Sequence, residues 1–215
     1  MGDINMKVNS NAHYSCQYIS VEEAKDSMAS IPWGAMPSLV LVDNVTGEPS
    51  LEQTTVRGCW SEQFLCFQYI CQDSFVRSDY TKRDEPLYEQ DVIEIFIDEE
   101  GNGIHYIELE ISPHNVIFDA KIINNGQGKV TDIDLAWDIE GLRTEIHRPQ
   151  SEIYIYYIYI PATNFAAPLE KGKTMKVNFY RIDEQRSGER EYQAWRPTGA
   201  INFHLAQYFG EMILE

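Results

Sequence analysis

The chain has 215 residues, of which 34 are acidic and 17 are basic, so its formal net charge at pH 7 is −17. This length fits one large domain with a single core, because all-β sandwiches commonly reach it without dividing. A negative charge of this size repels nucleic acid phosphates and anionic membrane surfaces, which excludes both as partners. The acidic excess either serves solubility alone or supplies acceptors for a polyhydroxylated ligand or a cation.

Residues 1–38 predict an N-terminal arm that is extended, carries one short helix and packs on the domain formed by residues 39–215. Residues 21–30 have helix-compatible spacing, and Pro32, Gly34 and Pro37 interrupt regular structure after them. The sequence shows neither an export signal nor an apolar run of the roughly 20 residues that a membrane span requires. We therefore expect a soluble, cytoplasmic protein, or an extracellular one if a leader has been removed.

Strand signals dominate the remainder of the chain. Runs of β-branched and aromatic residues, bounded by turn residues, predict about ten strands and few short helices. These runs occupy residues 39–43, 54–60, 64–72, 92–97, 105–111, 116–123, 137–147, 153–160, 175–183, 192–195 and 210–215. Such a series indicates an all-β fold, an antiparallel β-sandwich of the jelly-roll type.

Residues 86–112 predict a hairpin that presents carboxyl groups on one of its faces. Side chains alternate along a strand, so Glu94 falls between apolar neighbours on the first strand, while Glu108 and Glu110 share one face of the second. A carboxylate inside such a strand is costly unless something pairs with it. The carboxyl face is therefore where we expect the functional site.

The turn of this hairpin concentrates oxygen ligands. Asp98, Glu100 and Asn102 are candidate ligands for calcium, which accepts carboxylates and carbonyls in flexible geometry. The spacing lacks the EF-hand pattern, however. An acidic turn that uses Gly101 and Gly103 for positive φ explains the same residues without a metal.

The four cysteines follow no pattern of paired zinc ligands. Cys59, Cys66 and Cys71 fall within apolar, strand-like sequence, and Cys16 lies apart from them. No disulfide follows from their predicted positions. We expect four buried free thiols and no cofactor bound through them.

Several segments in a fixed order resemble carbohydrate-binding module family 9 and the wider group of family 9-like domains. They are a strand pair that ends in Asp73, followed by LYEQDVIEIFID, HYIELEIS with Phe118 and Asp119 after it, VNFYRID, AWRP and FHLAQYFGEMIL. The resemblance covers residue 39 to the C-terminus. It implies a β-sandwich and a saccharide ligand, and members of the family can also carry structural calcium.

The resemblance also implies a site. Sugar-binding members hold the ligand between two aromatic rings, and these positions match Tyr88, where the family has tryptophan, and Trp195. The glutamate of the central strand matches Glu94. The family's arginine on the next strand has no counterpart, because Glu108 stands at about that position. This departure argues against the family's usual ligand.

The candidate ligand-binding residues are therefore Tyr88, Glu94, Trp195, Arg181, Glu108, Glu110 and Arg196. Aromatic rings suit the weakly polar faces of a sugar, and carboxylate and arginine groups suit its hydroxyls. Four of these residues also have a structural explanation: Trp195 covers the end of the sandwich, Tyr88 packs at a strand start, and Glu94 pairs with Arg181. His204 fits a loop histidine that is satisfied by backbone.

Three functions remain open from the sequence. The first is a non-catalytic carbohydrate-binding domain, whose oligomeric state the sequence does not indicate. The second is a glycoside hydrolase, because Glu94, Glu108 and Glu110 supply enough carboxyl groups for paired acid and base chemistry. The third is a haem-binding sandwich for electron transfer, with Met175 and His204 as ligands, although the chain has no CxxCH motif.

Overall fold

The computed structural model describes residues 13–24 and 27–215, and this part of the chain is almost entirely strand. Its strands are β1 His13–Tyr18, β2 Ser38–Val40, β3 Val42–Asp43, β4 Thr54–Ser61, β5 Phe64–Gln72, β6 Val92–Asp98, β7 His105–Ile111, β8 Ile117–Asn124, β9 Val130–Asp134, β10 Arg143–Gln150, β11 Ile153–Pro161, β12 Thr174–Glu184, β13 Arg190–Ala194 and β14 Gly210–Leu214. The helical segments are short 3-10 turns at Val21–Ala24, Met28–Ser30, Trp33–Ala35, Leu87–Glu89, Ala162–Asn164 and Ala206–Tyr208. The all-β prediction is confirmed, with more strands than the predicted ten.

Two sheets pack face to face and are joined by β1. The first sheet has the order β10-β11-β5-β4, with β2 on β4, and the second has the order β14-β12-β6-β7-β8-β9, with β13 on β12 and β3 on β13. Neighbouring strands are antiparallel, except that β1 pairs parallel with both β14 and β4. The sandwich is therefore mixed where β1 lies, rather than wholly antiparallel as predicted.

The main core lies between the two sheets. Ile93, Ile95 and Ile97 of β6 enter it from the second sheet, and Phe67 and Tyr69 of β5 enter it from the first. This arrangement follows from the period of two in β6, which sends alternate side chains to opposite faces. The other face of β6 and β7 is also buried, because the segment after β13 covers it and forms a second cluster around Phe96.

The N-terminal segment is integrated into the fold more closely than an arm. Residues 13–18 form β1, and the predicted helix at 21–30 is replaced by the two 3-10 turns at either side of the undescribed residues 25 and 26. Trp33 packs in a third cluster with Met28 and Tyr157, and its indole Nε1 donates to the Met28 carbonyl at 2.9 Å. Residues 1–12 of the predicted arm lie outside the described part of the chain.

The four thiols are buried and unpaired, as predicted. Burial raises the pKa of Cys16 and of Cys66 well above the usual value, and it raises the pKa of Cys71 to about 11. Within the described residues, no helix has both the length and the apolar character needed to cross a membrane.

Candidate functional site

The predicted carboxyl face exists, and its three glutamates lie together. In the register of β6 and β7, Glu94 stands opposite Glu110, and Phe96 stands opposite Glu108. All three carboxyl groups are buried, and each contributes an oxygen that lies within 4.8 Å of the others. Like charges placed directly across a strand pair repel one another, so this arrangement costs stability unless the charge is neutralised.

The electrostatics of this carboxyl triad follow from its burial. Burial, followed by the field of the other carboxyl groups, raises the pKa of Glu94 and of Glu110 well above the ordinary value. Burial raises the pKa of Glu108 to about 8. Glu108 is therefore largely protonated at neutral pH when nothing positive is near it, and burial favours the neutral form of the other two groups as well.

The triad lies at the floor of a cleft of about 720 Å³. The lining is largely apolar, and Tyr88, Ile133 and Ile201 remain exposed at its rim. Further lining side chains are Phe96, Phe118, Ile182, Tyr192, Phe203, Glu89, Lys129, Arg190, Asn202 and His204. An open concave surface of apolar side chains with convergent polar groups is the usual form of a small-molecule site.

Two loops that are distant in sequence form one wall of the cleft, and they are locked together. The Asn124 amide donates to the His204 carbonyl at 2.9 Å, and the Asn202 amide donates to the Gly128 carbonyl at 3.0 Å. Gly128 has φ +84°, and a Cβ there would lie 2.4 Å from a Leu205 methyl carbon. The positive φ strains any other residue at this position, and the two hydrogen bonds hold the loops together.

Tyr88 is brought to the cleft by the 3-10 turn Leu87–Glu89. Leu87 is buried beneath the turn, which leaves the next side chain pointing outward, and Tyr88 is 51% exposed. The pKa of Tyr88 is raised by partial burial and then by Glu89, Glu110 and Glu108. Its ring therefore lies within the electrostatic reach of the carboxyl triad.

Trp195 lies elsewhere. It is only 3% exposed and belongs to the core between the sheets, where its ring centroid is 5.9 Å from that of Phe179 and 6.4 Å from that of Tyr14. A Cβ on Gly210 would come within 2.3 Å of the indole, so the ring fills the space that this glycine leaves. This corrects the expectation of an exposed ring, because an indole in the core presents no face to a ligand.

Arg181 is also separated from the carboxyl triad. It stands opposite Ile93 on the core face, whereas Tyr180 stands opposite Glu94. Its guanidinium pairs with Asp183 and, at 3.3 Å, with Asp73, so the predicted pair with Glu94 does not form. The physical reason is the register, which places successive residues of β12 on opposite faces.

Arg196 does not line the cleft. Its backbone N–H donates to the Asn178 side chain at 3.0 Å, and its carbonyl accepts from the Asn178 amide at 2.9 Å. Asn178 is buried and clamps the chain that follows β13. Arg196 is therefore held by its backbone beside Trp195, apart from Tyr88 and the carboxyl triad.

The turn with the candidate calcium ligands holds itself together with its own hydrogen bonds. The two Asp98 oxygens accept from the N–H groups of Gly101 and Gly103, each at 2.7 Å. Asn102 donates to Glu100 at 2.6 Å, and both glycines have positive φ. The donor atoms are committed to the turn, which fits the explanation without a metal better than a calcium site.

The two candidate haem ligands lie on opposite faces of one sheet. Met175 is in the core between the sheets, whereas His204 packs on Phe96 and accepts or donates through Nδ1 to the Tyr106 hydroxyl at 2.9 Å. Residues separated by a sheet cannot ligate one iron, so this pair is excluded. Burial lowers the pKa of His204 to about 4, so the ring is neutral at pH 7.

Sequence reasoning missed most of the cleft wall. Lys129 and Ile133 lie on or beside β9, a short polar strand that has few strand signals. Arg190 and Tyr192 belong to β13, of which only the second half was predicted. One feature of the sequence could have indicated this wall: Ile201 is an apolar residue inside the polar loop TGAINFH.

Comparisons with known proteins agree with this fold. Residues 26–215 match the profile of the family described as carbohydrate family 9 binding domain-like. A protein of Arthroderma benhamiae named "Extracellular protein" is 21% identical over 203 residues, which cover 88% of this chain and 91% of that protein.

Three solved structures are similar over 94% of this chain. A protein of Bacteroides uniformis that is proposed to bind carbohydrate has a TM-score of 0.76, 17% identity and 99% of its own chain covered. A family 9 module of Caldicellulosiruptor kristjanssonii in complex with cellotriose has a TM-score of 0.65, 16% identity and 93% covered. The structure of a family 9 module from that organism with glucose has a TM-score of 0.64, 15% identity and 95% covered. At such identities the likeness establishes a shared fold.

Proposed function

We propose that this chain, which belongs to the carbohydrate family 9 binding domain-like family, is a non-catalytic domain that binds a saccharide in the cleft above the carboxyl triad. The observation that carries the proposal is the exposed Tyr88 ring beside buried glutamates in one apolar cleft. The structural relatives that hold cellotriose and glucose support a saccharide as the ligand class.

The cleft supplies the two kinds of contact that a sugar needs. Tyr88 offers a flat aromatic face for the C–H side of the ring, and Ile133 and Ile201 add apolar surface at the rim. Glu94 and Glu108 offer oxygens to hydroxyl groups, and Asn202 offers an amide. This set replaces the pair of aromatic rings expected from the family, since Trp195 is committed to the core.

The hydrolytic alternative is favoured less. Glycoside cleavage uses one protonated carboxyl group and one ionised carboxylate, whose environments push their pKa values apart. In the carboxyl triad, burial raises all three pKa values in the same direction. Burial therefore favours the neutral form of each group, and no described lysine, arginine or histidine forms an ion pair that would favour the ionised form a nucleophile or base requires.

A calorimetric and thermal-shift screen against mono- and oligosaccharides, with glucose and cello-oligosaccharides included, tests the proposal. Ligand binding to the folded state raises the melting temperature. Tyr88→Ala removes the stacking ring, and we expect it to weaken binding about tenfold. Tyr208→Ala is the matched control, because Tyr208 is 45% exposed and lies outside the cleft lining.

Two outcomes would overturn the proposal. One is that no saccharide in the screen binds. The other is that Tyr88→Ala binds as tightly as the unmodified chain, which would place the ligand somewhere other than this cleft.

A further inference from the structure

Among the described residues, the carboxyl triad differs from the two other close clusters of three acidic residues in having no positive partner. Two further groups of three acidic residues lie equally close together. Each of those includes a salt bridge with arginine, from Arg181 to Asp73 in one and from Arg83 to Asp119 in the other. Among the described residues, no lysine, arginine or histidine forms an ion pair with Glu94, Glu108 or Glu110.

Three of the six oxygens of the carboxyl triad also lack hydrogen-bond partners among the described residues. Both carboxyl oxygens of Glu110 and the Oε1 of Glu94 have none among the described residues, although these two side chains are only 1% and 2% exposed. Buried polar atoms are ordinarily satisfied, and each exception requires an explanation. A buried charge in particular is paired or coordinates a metal.

The geometry of the three oxygens fits coordination of a single ion. Oxygen ligands lie about 2.3–2.6 Å from Ca²⁺, so two ligands of the same ion are at most about 5 Å apart. The three carboxyl groups of the triad each place an oxygen within 4.8 Å of the others. The donor set contains only oxygen, which selects a hard cation.

We propose that Glu94, Glu108 and Glu110 bind one divalent cation, Ca²⁺, at the floor of the cleft. Three carboxylates supply up to six oxygens, whereas Mg²⁺ is usually held by one or two carboxylates and keeps several waters. The cleft of about 720 Å³ gives the ion a path from solvent and leaves room for water or hydroxyl groups on its open side. The inference concerns the same cleft as the saccharide proposal, but its test is separate, because Ca²⁺ binding is measured without a sugar.

Calorimetric titration of the full chain with CaCl2, after EDTA treatment and dialysis, tests the site without any saccharide. We expect one Ca²⁺ per chain and a higher melting temperature. Glu110→Gln and Glu108→Gln each remove a charged ligand and should weaken binding about tenfold or more. Glu140→Gln makes the same change of charge at an exposed position and should bind Ca²⁺ as the unmodified chain does.

Two measurements keep the test independent of folding and of the other acidic groups. Thermal unfolding of the two variants in EDTA shows whether they remain folded. Crystals soaked in MnCl2 should give an anomalous difference peak among the three carboxyl groups. The proposal is overturned if neither Ca²⁺ nor Mn²⁺ binds, if folded Glu110→Gln and Glu108→Gln bind Ca²⁺ unchanged, or if the peak lies only at another acidic group.

Discussion

Trp195 and Tyr88 are both aromatic, but one lies in the core and the other at the cleft. Trp195 packs against Phe179 and Tyr14 and fills the space above Gly210, whereas Tyr88 is half exposed at the cleft. The free energy gained by an aromatic ring depends on the surface that it buries on folding. The first ring therefore contributes chiefly to the stability of the fold, and the second is free to contribute to binding.

Truncation of Trp195 should be costly for this reason. We expect Trp195→Ala to lower the free energy of unfolding by about 3–5 kcal/mol, which is the usual cost of removing a large core ring. Tyr88→Ala, as the control, should lower it by less than about 1 kcal/mol. Urea unfolding followed by circular dichroism measures both. A Trp195→Ala variant as stable as Tyr88→Ala would contradict the core position.

The sequence predicts which face of a strand a residue lies on, but not which residues of distant strands lie beside it. Alternation along β12 correctly grouped Arg181 with Val177, Phe179 and Asp183. It could not predict that Tyr180, rather than Arg181, stands beside Glu94, because that depends on the register between two strands distant in sequence. The burial of Trp195 depended in the same way on Gly210, a residue of another strand.

At the scale of elements, β1 has the most unusual position. It pairs parallel with β14 at one end and with β4 at the other, so it closes one side of the sandwich. Tyr14 fixes it by accepting from the Gly58 N–H at 2.5 Å and donating to the Pro37 carbonyl at 2.9 Å. One buried hydroxyl thus connects β1 to β4 and to the segment before β2.

Removal of this hydroxyl should weaken the attachment of β1. We expect Tyr14→Phe to lower the free energy of unfolding by about 1–3 kcal/mol, because the buried Gly58 N–H loses its acceptor. Tyr18→Phe is the matched control on the same strand, where the hydroxyl is exposed and donates to Glu62 at 3.1 Å. That variant should stay within about 0.5 kcal/mol of the unmodified chain in denaturant unfolding. Equal losses in the two variants would argue against this role of Tyr14.

Elements were predictable where their pattern is local. The period of two in β6 and β7 identified both faces and the grouping of Glu94 with Glu108 and Glu110. β1 and β9 were missed, because β1 is defined by partners far away in sequence and β9 is short with exposed, polar side chains. Because β9 was not predicted, neither was this part of the cleft wall: the strand and the neighbouring loop carry Ile133 and Lys129.

At the scale of the whole molecule, buried titratable groups make the free energy of unfolding depend on pH. Two buried aspartates and one partly buried histidine act in opposite directions. Burial raises the pKa of Asp73 to about 6 and of Asp183 to about 7, even though Arg181 acts in the other direction. Each of these carboxyl groups reduces stability as the pH rises from about 4 towards those values, because the unfolded chain releases its proton first. His204, with a lowered pKa, acts with the opposite sign.

The contribution of His204 can be separated from the others. Its pKa is about 4 in the folded state against an ordinary value of 6.5, so the unfolded chain binds the proton first as the pH falls. This contribution is complete above pH 6.5 and is lost towards pH 4. Between pH 7 and 5, we expect the unmodified chain to lose about 1–2 kcal/mol relative to His204→Gln, a figure reduced for the partial exposure of the ring. Urea unfolding of both proteins at the two pH values measures this, and a constant difference would contradict the lowered pKa.

The two outermost strands, β9 and β10, have a further consequence for how copies of the protein meet. Each has one unpaired edge. β10 carries Arg143, Arg148 and Pro149 and a shift of register near its end, and β9 carries Asp132 and Asp134. A second copy that paired its own β9 with this β9 would bring Asp132 and Asp134 of the two copies together. A strand added to β10 would meet Pro149, which has no N–H to donate. Both features disfavour extension of the described sheets through like edges.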